Sequence, residues 1–86
     1  MIHVRVLYLS GIREWMGRAE EALEVEDRMT VFALRRLLFH DLPRNEAAAF
    51  FEGLSFLVNL EKVALNRVLR EGDRVTVQVL KGAGKP

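Results

Sequence analysis

The sequence predicts an α+β fold, a mixed sheet of four to five strands covered by one main helix and a second short helix. Three observations predict it. Residues 2–9 alternate in hydropathy, with Ile2, Val4, Val6 and Tyr8 on one face and His3, Arg5, Leu7 and Leu9 on the other. The far end of the chain alternates again: Val75, Val77 and Val79 oppose Thr76, Gln78 and Leu80. Between these two runs, Val31, Leu34, Leu37 and Leu38 form a single stripe at helical spacing.

Taken in order, the first strand breaks at Ser10-Gly11. Residues 12–17 follow as a short helical turn closed by Gly17, with Trp15 and Met16 placed to lid one end of the core. A second strand covers 19–26, where Leu23 and Val25 alternate with glutamates. Glu20, Glu21, Glu24, Glu26 and Asp27 suit a solvated sheet edge that charge protects from stray pairing. Thr30 is a good N-cap, so the main helix spans 31–40, with Arg35 and Arg36 on the side opposite its stripe. Pro43 stops it, and 44–52 form the second short helix, closed by Gly53. Residues 54–58 are an apolar strand ending at the turn residue Asn59, and 62–64 are at most a short strand. Leu65 and Leu69 are core plugs in an irregular crossing, and Gly72-Asp73 turns the chain into its last strand.

Eighty-six residues make one domain, half of them hydrophobic, enough for a core without staples. The absence of cysteine excludes disulfides, thiolate metal sites and cysteine nucleophiles, and suits a cytoplasmic protein. No apolar run reaches the length of a membrane span. Thirteen basic and twelve acidic residues, spread along the chain, lack the concentrated basic face that nucleic acid requires. His3 and His40 have no ligand spacing, and no nucleophile, phosphate loop or carboxylate pair supports catalysis by this chain alone.

Two opening strands, a covering helix and returning strands, with the apolar first and last strands side by side at the sheet centre, make the β-grasp or ubiquitin-like fold. Four segments then resemble the MoaD/ThiS sulfur-carrier group, which includes the small subunit of molybdopterin synthase. They are residues 7–17, with Arg13-Glu14 and Gly17; Thr30-Val31 with Leu34; Val58-Asn59; and Leu65, Leu69 and Gly72-Asp73. The resemblance implies a β-grasp domain at 1–80 and a flexible C-terminal tail at 81–86. It implies a carrier that is not an enzyme and binds no cofactor. An adenylating enzyme activates the tail carboxylate with ATP, and sulfur from a donor replaces the adenylate. The thiocarboxylate is then delivered to a sulfur-accepting synthase subunit.

On this alignment the tail residues are Gly82, Ala83 and Gly84, and the family's last glycine falls on Gly84. A glycine-rich end has almost no side chain and can thread a narrow channel. Several positions depart from the pattern: Ala83 replaces a glycine, Lys85-Pro86 extend beyond, and Leu60 follows the turn asparagine where a glycine is common. Carrier function at Gly84 therefore calls for a trimming protease. Leu7, Leu9, Gln78, Leu80 and Lys81 are the candidate partner-docking residues, either an exposed patch or a surface covered by the chain's own loops. Phe32, Phe39, Phe50 and Phe51 either form a second contact surface or lie beneath the second helix. Two functions stand: a sulfur carrier, or a non-conjugated ubiquitin-like interaction subunit that kept the fold and lost the diglycine chemistry.

Overall fold

In the computed structural model, residues 1–9, 12–40 and 53–79 are described, Trp15 and Val79 by their backbone alone. The elements run β1 (Ile2–Tyr8), α1 (Ile12–Met16), β2 (Glu20–Val25), α2 (Val31–Leu38), β3 (Leu54–Val58), β4 (Glu61–Lys62) and β5 (Arg74–Val79). The expected second short helix at 44–52 lies outside the described residues.

Five strands form one sheet in the order β2-β1-β5-β3-β4. The first and last strands are adjacent and parallel, in the register Arg5↔Arg74 to Tyr8↔Val77. β2 and β3 flank them antiparallel. This is the β-grasp arrangement expected from the sequence, and the glutamate-rich β2 does occupy a sheet edge.

One face of the sheet is the core. Val4, Val6 and Tyr8 of β1, Val25 of β2, Phe56 and Val58 of β3, and Val75 and Val77 of β5 are all buried. Alternation puts them on a common side, where α2 covers them with Val31 and Leu34. The Thr30 hydroxyl accepts the Ala33 N–H at 3.1 Å, so the N-cap is realised. Backbone carbonyls of Arg67 and Leu65 accept the Val31 and Phe32 N–H groups at 2.9 and 2.8 Å. The irregular crossing thereby binds the helix start from outside.

Several details differ from the sequence expectation. α2 ends at Leu38, two residues early, because Phe39 leaves helical φ and turns into the core. Leu37 is 46% exposed: at about 100° per residue it sits roughly 100° around the helix from Leu38 and 120° from Val31, on the flank of the true stripe. Arg35 is half-buried rather than opposite the core, and burial lowers its guanidinium pKa. β2 is one residue shorter at each end than expected. β4 occupies 61–62 because the β3–β4 loop has only two residues, Asn59 and Leu60. Leu65 is 37% exposed and lies outside the core cluster, whereas Leu69 is buried as expected.

Candidate functional site

β5 is the last described element before the residues expected to form the tail, so the site is built around its end. β5 is the middle strand, bonded to β1 on one side and β3 on the other. Its last residue, Val79, pairs with Leu54. A tail attached here starts from a strand held on both flanks. Gly82, Ala83 and Gly84, with Leu80 and Lys81, lie outside the described residues.

On the sheet face away from α2, register places Leu7 beside Thr76, and Thr76 beside Leu57. The Leu9 N–H donates to the Val77 carbonyl at 3.0 Å, which carries the β1–β5 ladder one step further and sets Leu9 beside Gln78. Leu7 and Gln78 are half-buried and Leu9 is 40% exposed. Three of the five expected docking residues therefore form one patch next to the end of β5. Thr76 between them is nearly covered by its same-face neighbours.

The opposite end of this face is polar. Glu71 accepts the His3 backbone N–H at 2.9 Å, and the His3 ring lies 3.3 Å from the same carboxylate oxygen. The backbone donor is the main reason that the Glu71 carboxyl sits below its ordinary pKa. Arg5 reaches Glu20 at 3.2 Å across the β1–β2 pair. Among the described residues, no cluster of three or more histidine, aspartate or glutamate side chains is arranged to hold a metal ion.

Sequence reasoning missed the group that sets the direction of β5. The buried Asp73 accepts the Arg70 N–H at 2.8 Å and the Asn59 side-chain amide at 3.0 Å, with Arg67 at 3.4 Å. Asn59 in turn accepts the Arg74 N–H at 3.0 Å and donates its own N–H to the Arg74 carbonyl at 2.8 Å. The β3–β4 turn is thus clamped to the first residue of β5. The Asn59 and Gly72-Asp73 signals were visible in the sequence; that they meet, 14 residues apart, was not.

The ThiS family profile matches residues 6–77. A Pyrococcus furiosus protein described as molybdopterin converting factor, subunit 1, has a TM-score of 0.77 at 24% identity, covering 93% of this chain and 99% of its own. Small archaeal modifier protein 1 of Haloferax volcanii has a TM-score of 0.77 at 20% identity, covering 93% of this chain and 99% of its own. Its Methanosarcina acetivorans counterpart has a TM-score of 0.73 at 20% identity, covering 98% of both chains. At these identities the likeness is one of fold. No curated protein sequence matches the chain.

Proposed function

The chain belongs to the ThiS family of small ubiquitin-like carrier proteins, and from that premise we propose that it is a sulfur carrier of the molybdopterin-synthase small-subunit type, thiocarboxylated at Gly84 once Lys85-Pro86 are removed. Carriers of this family work with adenylating enzymes and synthase subunits. The observation that carries the reading is the position of the tail's base. It sits at the end of the doubly bonded central strand, beside the patch made by Leu7, Leu9 and Gln78.

Each part has a physical task. Gly82, Ala83 and Gly84 supply a slender, adaptable thread. The carboxylate at its end is activated by the partner's ATP, and a sulfur donor displaces the adenylate. Leu7 and Leu9 give the partner apolar area and Gln78 a polar contact that fixes register, with Leu80 and Lys81 adding to these as the chain enters the tail. The domain itself supplies no reacting group. Incubation of the chain ending at Gly84 with its adenylating enzyme, ATP and a sulfur donor should exchange one carboxylate oxygen for sulfur in the intact mass. An unchanged mass under conditions that load a second carrier would overturn the reading.

A second reading, an interaction subunit without conjugation chemistry, is favoured by Ala83 in place of a glycine and by the Lys85-Pro86 extension. It predicts stoichiometric capture of a partner by the untrimmed chain, and loss of that capture when Lys85-Pro86 are deleted.

A further inference from the structure

The edge strand β2 has a groove beside it with four apolar residues in its lining. The Tyr8 N–H donates to the Ala19 carbonyl at 2.8 Å, so in the β1–β2 ladder residues 19, 21, 23 and 25 direct their backbone groups toward β1. By alternation, Glu20, Ala22 and Glu24 direct theirs outward from the sheet edge. Ala22 is exposed and small, leaving access to that edge. On the α2 side a groove of about 370 Å³ is lined by Met16, Leu23, Leu37 and Leu38 together with Arg18, Glu21 and His40, and Arg18 pairs with Glu21 at 2.8 Å. On the other side of the strand, Glu20 and Glu24 flank Ala22, both half or more exposed.

We propose that β2 is a docking edge for an extended partner segment that alternates apolar and basic residues, adding as a sixth strand. Its outward main-chain groups bond Glu20, Ala22 and Glu24, its apolar side chains enter the groove, and its cations lie across from the two glutamates. Charge selects this occupant. A second copy paired antiparallel about Ala22 would set Glu20 against Glu24 twice, and like charges directly opposite are destabilising. The glutamates therefore repel the chain's own edge and accept a basic strand. The surface borders the Leu7 patch, since Glu20 is the register partner of Leu7 across β1–β2, but it lies on the outer edge of β2, and its test needs no carrier activity.

The probe is a blocked eight-residue peptide alternating lysine and valine, titrated into the isotope-labelled full chain and followed by amide NMR. Saturable shifts are expected at Glu20, Ala22 and Glu24 and at the Leu23 and Leu37 methyls. N-methylation of alternate peptide amides should abolish them. Glu20→Lys/Glu24→Lys, two surface changes, should reverse the preference to a glutamate–valine peptide by roughly tenfold. Equal binding of the two peptides by the unaltered chain, shifts centred on Leu7 and Leu9, no saturation, or self-association through β2 would each overturn the proposal.

Discussion

Replacing Asp73 by alanine leaves the Arg70 N–H and the Asn59 amide without their acceptor, while Asp73 itself is only 6% exposed. Unmade buried hydrogen bonds of this kind cost about 1–3 kcal/mol each, so thermal unfolding of Asp73→Ala should occur roughly 10 °C or more lower. Leu60 points the other way. It has φ +71°, follows Asn59 at φ +53°, and is 76% exposed, so nothing it contacts offsets its left-handed backbone. Two positive φ values are what a two-residue hairpin loop demands, and glycine meets that demand without strain. The left-handed conformation costs about 1–2 kcal/mol for an ordinary residue, and glycine's extra unfolded-state entropy returns about half of it. Leu60→Gly should therefore stabilise the fold by about 0.5–1 kcal/mol in chemical denaturation. The single tyrosine gives a pH test. Burial, then the charge of Glu21, pushes the Tyr8 hydroxyl above its ordinary 10. A raised folded value means that stability is intact below pH 10 and falls as pH rises beyond it. Tyrosinate absorbance should accordingly stay absent at pH 10–11 and appear only as the chain unfolds.

At the scale of elements, α2 tests how well a hydrophobic stripe can be read. Leu34→Ala should cost about 2–5 kcal/mol because Leu34 is fully buried, whereas Leu37→Ala, on the flank of the stripe, should fall within about 1 kcal/mol of the parent. Equal effects in urea unfolding would put the helix at a different rotation. Both leucines looked alike in the sequence because a window of eight residues holds barely two turns, too few to fix which flank of a stripe faces the sheet. The strands were more legible. Alternation in β1 and β5 is strict, and a period of two assigns every residue to a face once one is buried. The irregular 63–73 crossing was read least well. Leu65 and Leu69 carry the same four-residue spacing, yet only Leu69 is buried, since no regular period applies where the backbone is not helical.

For the whole molecule, the placement of two apolar strands from opposite ends of the chain at the sheet centre was accessible from composition and pattern alone. Their parallel register was not, because it rests on bonds between distant positions: the Arg5 N–H donates to the Asp73 carbonyl at 3.0 Å and the Gly72 N–H to the His3 carbonyl at 2.8 Å. The candidate site was legible to a similar degree. Leu7, Leu9 and Gln78 come together through strand order, whereas the β2 groove depends on Leu37 facing outward, which the stripe misassigned. What the fold supplies to the proposed function is an anchored base: β5 is bonded on both flanks and ends beside the patch made by Leu7, Leu9 and Gln78. The most direct test is the intact mass of the protein isolated from its own cells. The account predicts a species ending at Gly84, a fraction of it carrying sulfur in place of one carboxylate oxygen. A population consisting only of the unmodified chain through Pro86 would contradict it.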